Sequence, residues 1–397
     1  MPDTPARWAA RGLRARILCR LVLLLFCIIT PFVLTKYIIL PHHDPTDYFA
    51  FRSFSSFIRV HPPALIYDNH ILRDLQLTLH GGFFPYLYHP GMLLLVWPLA
   101  YLPYGLGWVL WIGIGLIVYI AAVGIAERNP AAVLAAIIAP STLWIVMCGQ
   151  STMLAAALLF GGFRFLPTRP LLAGALFGML AYKPQFGVLV PVALVASGQW
   201  RAIAAACVTM ILFMLATAAA FGWSVWVTWL HDLPSIAITI STNLLVLCPL
   251  MVTVTSNLVV FGLTPDQAHL VQIVASLGAV IVIWHCFRRG TNMLGAAAVA
   301  VATFLTTPYA FAYDMPILTA AVIVIVNERW QQNDAFVFAE ILVLIAAFLL
   351  PYCVISSMFF RFSSLVILAL LCLVVRRIWT RDAEDAVWHP PHVAAMA

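Results

Sequence analysis

The chain alternates between long apolar runs and short polar breaks. Uniformly apolar runs fall at about 17–40, 91–102, 105–125, 130–148, 152–165, 171–182, 185–197 and 200–222, then at 250–263, 268–287, 291–307, 315–326, 336–352 and 358–377. None shows the alternating polarity of a barrel strand, so each reads as a helix. Helices satisfy their own backbone hydrogen bonds in hydrocarbon. The pattern predicts an all-α polytopic membrane protein of about ten to twelve helical segments.

Several runs are too short to cross straight through. Twelve helical residues rise about 18 Å, against a hydrocarbon core of about 30 Å. Segments 91–102, 171–182, 185–197 and 315–326 therefore read as partial, broken or re-entrant, and Pro98, Pro103, Pro184, Pro308 and Pro316 mark many of the breaks. Irregular backbone at membrane depth survives only where protein or a watery cavity covers it. The short segments thus predict a cavity with helices ending inside it.

Two polar stretches stand out. Residues 41–90 hold Asp44, Asp47, Asp68 and Asp74 with His42, His43, His61, His70, His80 and His89. Within them, Tyr48–Ile58 and His70–Leu79 have the spacing of amphipathic helices lying at a membrane surface. Residues 223–249 carry Trp223, Trp226, Trp229, His231 and Asp232, a composition that favours the membrane interface.

Composition sharpens this picture. The chain is 63% hydrophobic and 9% charged, far below the roughly 25% charge of a soluble domain. Its 21 basic and 15 acidic side chains give a net charge of +6. The basic residues cluster at segment ends (Arg7, Arg11, Arg14, Arg16 and Arg20; Arg376, Arg377 and Arg381), which marks helix orientation rather than a nucleic-acid surface. The expected layout is a cytoplasmic basic tail at 1–16, one transmembrane domain at 17–380 with outer loops at 41–90 and 223–249, and a cytoplasmic tail at 381–397. Arg164/Arg169, Arg201, Arg288/Arg289 and Arg376/Arg377 read as cytoplasmic. That puts Gln150, Lys183–Pro184 and Pro308–Asp314 outside, and it works only if one early segment, such as 91–102, does not cross. Residues 17–40 are too long for a signal-peptide core and no A-x-A site follows, so they read as an uncleaved anchor. The eight cysteines form no C-x-x-C pair and read as small buried hydrophobes.

Five constellations can carry chemistry. Asp44-Pro-Thr-Asp47-Tyr48 offers a general base at the outer surface, or a helix cap. Tyr88-His89-Pro90 can bind phosphate or sugar hydroxyls, or form an aromatic belt. Gly149-Gln150-Ser151 can bind sugar hydroxyls, or simply turn the chain. Lys183-Pro184-Gln185 sets a lysine among apolar segments, where a charge is costly and usually faces a cavity or pairs with an anion; snorkelling to the interface is the alternative. Residues 306–314, between two apolar segments, hold Tyr309 and end in the Asp314 carboxylate, which can orient a substrate or the base, or cap the next helix. No Walker loop, dinucleotide fingerprint, zinc spacing or H-E-x-x-H motif occurs. An enzyme of this kind must draw its energy from a membrane-borne substrate.

The order of these motifs resembles glycosyltransferase family 87, membrane mannosyl- or hexosyltransferases of the C-type superfamily. The resemblance runs over about 40–320. It rests on Asp47-Tyr48, Tyr67-Asp68, Tyr88-His89-Pro90, Pro98-Leu99-Ala100, Leu102-Pro103-Tyr104 with Trp111, and Gly149-Gln150-Ser151. It continues through Ala173-Gly174-Ala175 with Gly178, Lys183-Pro184-Gln185, Gln199-Trp200-Arg201, Pro308-Tyr309 and Tyr313-Asp314. His89 stands where the family tends to have a proline, and Tyr313-Asp314 where better-known branches use a His-Tyr pair. The resemblance implies a C-type glycosyltransferase-like bundle acting at the outer face of the bacterial cytoplasmic membrane. The implied donor is a polyprenyl-phosphate-linked hexose, the implied acceptor a lipid or glycan, and the implied catalytic base Asp47, with Asp44 as fallback. Lys183, Arg52, Tyr88, His89, Gln150, Gln185, Tyr309 and Asp314 are the expected phosphate- or sugar-binding residues. No cofactor is expected; Asp and His abound in the first loop, but no ligand spacing demands a divalent metal. A transporter or flippase of a lipid-linked or small polar substrate, and a noncatalytic envelope partner, are the competing readings.

Overall fold

In the computed structural model, residues 46–242, 247–290, 293–332, 336–355 and 362–388 are described. The basic tail, the first expected span and Asp44 lie outside the described residues. Seventeen α-helices account for most of the rest, with no strand among the described residues beyond one isolated bridge, Met251 to Phe311. The chain is an all-α polytopic membrane protein.

The polar loop folds as its spacing predicts. Helix α1 (Asp47–Val60) buries Tyr48, Phe51, Phe54 and Phe57, which recur every three residues on one face. A 3-10 turn, Pro63–Tyr67, leads to α2 (Asn69–Thr78). Asp68 caps α2, its carboxylate accepting from the N–H groups of His70 and Ile71. Helix α3 (Met92–Val96) and the 3-10 turn Trp97–Tyr101 make ten residues, too short to cross a bilayer, and they pack against α1.

The long apolar helices come next. Helix α4 (Tyr104–Tyr119) continues through a π turn to Glu127, giving 24 residues. Helices α5 (Pro130–Ile138) and α6 (Pro140–Cys148) form a pair bent by 45° at Pro140. Helix α7 (Thr152–Phe165) is short and almost wholly buried. Helix α8 (Pro170–Met179) ends in two 3-10 turns flanking Lys183, followed by α9 (Val190–Ala196). Helix α10 (Trp200–Phe221) lies along α8. Gly174 and Gly178 allow that approach: a Cβ at either would overlap the backbone carbonyl of Ala202 or Ala206.

Helix α11 (Ser224–Thr242) occupies the second polar stretch, with Pro234 inside it. Helix α12 (Val254–Val260) precedes α13 (Pro265–Arg288). Helix α14 (Met293–Thr306), rich in alanine, is buried along nearly its whole length between α13, α15 (Pro316–Gln331) and α17 (Ser363–Trp388); α16 (Phe338–Ile355) completes the bundle. By length and composition four helices among the described residues can cross a membrane, or five if the bent pair counts as one. Most of the other apolar helices are shorter, and α7, α14 and α15 are shielded by neighbours rather than lipid.

Two buried polar clusters tie the helix ends away from Lys183. Glu127 pairs with Arg164 and accepts from Asn327, which also bonds Asn129. Glu340 joins Arg329 at 3.3 Å and Arg377 at 2.9 Å.

Candidate active site

The breaks between half-length helices meet at one place. Gly149 closes α6 in the left-handed conformation (φ 83°), and a Cβ there would collide with Tyr48. Trp111 of α4 donates to its carbonyl at 2.8 Å. This turn aims Gln150 at the start of α1: its amide donates to Asp47 Oδ1 at 3.1 Å and to the Tyr88 hydroxyl at 3.3 Å. The capping alternative for Asp47 falls away, because Thr46 is the N-cap residue, without a side-chain capping bond, and the Asp47 carboxylate reaches Gln150 instead.

Lys183 does not snorkel. It is 2% exposed, and its ammonium donates to Thr152 Oγ1 at 2.7 Å and Asp314 Oδ1 at 3.0 Å. Thr152 in turn donates to Asp314 Oδ1 at 2.8 Å. The second Asp314 oxygen accepts from the Phe311 N–H at 3.0 Å. Asp314 thus braces its own loop and neutralises the lysine at once. That loop is pinned by the Val252 N–H, which donates to the Ala310 carbonyl at 2.9 Å. Such a buried pair is stabilised when its remaining lone pairs and protons find partners; here Thr152 and the Phe311 N–H supply them for all but one Lys183 proton.

Asp47, Tyr88, His89, Lys183, Gln185, Tyr309 and Asp314 all line one cavity of about 1240 Å³. Asp47 is partly open to it yet closely surrounded by protein, and this desolvation raises its carboxyl from 3.8 to about 6, against smaller opposing effects of Gln150 and Lys183. Both nitrogens of His89 are engaged. Nε2 meets the Ala181 carbonyl, and Nδ1 accepts from the Gly91 N–H at 2.9 Å, so the ring shows the cavity its face. Burial lowers its pKa and keeps it neutral. Arg52 is not among the lining residues; its guanidinium bonds Ser56 within α1.

The cavity has an apolar flank. Trp226, Trp229, Leu233, Ile236 and Ile240 recur at helical spacing along α11 and line it, facing Met210, Ile211, Phe213 and Met214 of α10. Trp226 stacks on His89 (5.9 Å between centroids, 17°), and its indole N–H is buried with no hydrogen-bond partner among the described residues. No group of three His, Cys, Asp or Glu side chains gathers at metal-binding distance among the described residues.

Sequence reasoning missed Thr152 and Arg73, and it read the tryptophans only as interface anchors. Thr152 follows the Gly149-Gln150-Ser151 turn directly, so the spacing contained a signal. Arg73 sits on an exposed amphipathic helix, and nothing in the sequence says that it lines the cavity.

Comparison with curated proteins and with solved structures finds no match for this chain. A family comparison does: the model of glycosyltransferase family 87 matches residues 86–308, which include Tyr88, Gln150, Lys183 and the whole apolar flank. The match covers more than half of the chain, and the protein belongs to glycosyltransferase family 87.

Proposed function

We propose that the protein moves a hexose from a polyprenyl-phosphate donor to a lipid or glycan acceptor at the extracytoplasmic face, with inversion and with Asp47 as general base. The observation that carries this reading is one cavity joining a raised-pKa carboxylate to a lipid-compatible groove between α10 and α11. A sugar linked to a long apolar tail is the ligand such a cavity fits. The groove takes the tail, while Gln185 and Tyr309 offer polar contacts to the head; Gln150 is buried behind the lining and holds Asp47 and Tyr88 in place.

Asp47 takes the proton of an acceptor hydroxyl. The freed oxygen attacks the anomeric carbon, and the carbon–phosphate oxygen bond breaks with its electron pair leaving on phosphate. Charge spreads over an oxocarbenium-like transition state, and a single displacement inverts the anomer. Lys183 spends two of its three N–H donors on Thr152 and Asp314; the third is free to meet the leaving oxygen. Tyr88 lies within the same network, bonded to Gln150.

The outer-face assignment is supported by charge. Arg164, Arg201 and Arg288 stand at the ends of α7, α10 and α13 remote from the cavity, as the positive-inside rule expects of a cavity facing away from the cytoplasm. The bacterial inner membrane is the compartment this implies.

The test is a transfer assay on the purified chain with a panel of polyprenyl-phosphate hexoses and total membrane lipid, read by mass spectrometry. A hexose-extended acceptor and free polyprenyl phosphate in equal amounts are expected. Movement of intact donor across a bilayer without release of polyprenyl phosphate would instead mark a flippase.

A further inference from the structure

We infer that Arg73, with Asn69 one turn before it on α2, forms an anion subsite in the cavity wall that takes the phosphate-type charge of a lipid-borne substrate. The inference rests on the reading of the cavity as a transferase site, and it follows from charge balance. Tyrosines aside, the acid–base side chains lining the cavity are Asp47, Arg73, His89, Lys183 and Asp314. The charge of Lys183 is balanced by Asp314, which it meets at 3.0 Å. His89 is neutral, with both ring nitrogens bonded. With Asp47 ionised for catalysis, the cluster around Lys183 carries one net negative charge and repels an incoming phosphodiester. An anion entering this cavity needs a second cation.

Arg73 is that cation. It lines the cavity, is exposed, and has no carboxylate partner among the described residues. Its guanidinium carbon stands 4.7 Å from the centre of the Phe83 ring, which also lines the cavity. This cation–π contact anchors the group, and among the described residues none of its N–H donors has a hydrogen-bond partner. That fork matches two phosphate oxygens at once. Asn69, four residues earlier and on the same side of α2, lines the cavity too and offers an amide N–H. The anion can be the donor's phosphate or an anionic headgroup on the acceptor; both present the same oxygens.

The test is binding, not turnover, on the full-length protein in detergent. The probes are a polyprenyl monophosphate, for the donor source, and short-chain phosphatidylglycerol, for the acceptor source, with phosphatidylcholine as the uncharged control. In Arg73→Ala at least a tenfold loss of affinity for one anionic probe is expected, together with loss of most of its salt dependence. Arg73→Lys should recover part of it. Loss for polyprenyl phosphate assigns the subsite to the donor; loss for phosphatidylglycerol alone assigns it to the acceptor. Unchanged affinity for both, or no binding of either by the unaltered chain, overturns the subsite. Tight polyprenyl phosphate binding, with neither anionic probe sensitive to Arg73, would leave the transferase reading standing and remove only this one.

Discussion

At the scale of single residues, the site turns on how burial treats each charge. Desolvation holds the Asp47 carboxyl at about 6, so at neutral pH it is mostly ionised and still a better base than an ordinary aspartate. The sign follows directly. Transfer needs the ionised form, so kcat/KM should fall as pH drops through about 6, with this acidic limb visible in a rate profile between pH 5 and 8. Because the folded pKa lies above the unfolded one, the fold binds more protons than the unfolded chain between about 4 and 6, and Asp47 costs stability above that window. Asp47→Asn should therefore melt no lower than the unaltered protein at pH 7.5. A clear drop in melting temperature would mean that the carboxylate is structural. Lys183 behaves in the opposite way. Removing it alone strands Asp314 in the interior, a loss of about 3–5 kcal/mol. Lys183→Met with Asp314→Asn should recover most of that loss in thermal melts while leaving donor KM raised at least tenfold. Recovery of donor use along with the fold would remove Lys183 from the chemistry.

Helices and turns place these groups, and here the sequence was most and least informative. The amphipathic spacing of Tyr48, Phe51, Phe54 and Phe57 foretold α1 to within two residues of its ends. The prolines at 98, 184 and 316 foretold helices too short to span. What spacing could not reveal was which breaks meet. Gln150 and Asp47 are 103 residues apart, and Lys183 and Asp314 are 131 apart. Their meeting depends on packing around α7 and α14, which apolar composition leaves open. The cavity-facing side of α11 was hidden for a similar reason: a helix apolar on most sides gives little sign of which stripe is covered. Two outcomes test this level. Gly149→Ala forces a side chain into Tyr48 at a positive φ and should displace the start of α1. We expect kcat to fall about tenfold or more, in line with the sensitivity of catalysis to small misplacements. Ile236→Asn wets the groove between α10 and α11, so long-chain donors should lose affinity while a donor with a two- or three-isoprene tail is spared. Equal loss for both lengths would mean that no tail lies there.

For the whole molecule, a polar-lined cavity is built at membrane depth by shielding irregular backbone behind full-length helices. α4, α10 and α13 are long, apolar and largely exposed, as lipid-facing spans should be. α7, α14 and α15 are short, small-residued or buried, and Thr152 at the start of α7 bonds the Lys183–Asp314 pair in the cavity wall. Membrane class and segment order were legible because hydrocarbon demands long apolar helices. The number of full crossings was not, because half-length helices look alike in sequence whether lipid or protein covers them. The central claim is that the Asp47 carboxylate activates the acceptor. Its most direct test is single-turnover sugar transfer by Asp47→Asn with bound polyprenyl-phosphate hexose, measured alongside donor binding. The account predicts a fall in rate of about 10²–10⁴ with donor affinity changed by less than about threefold. Transfer at the full rate with donor bound normally would contradict it.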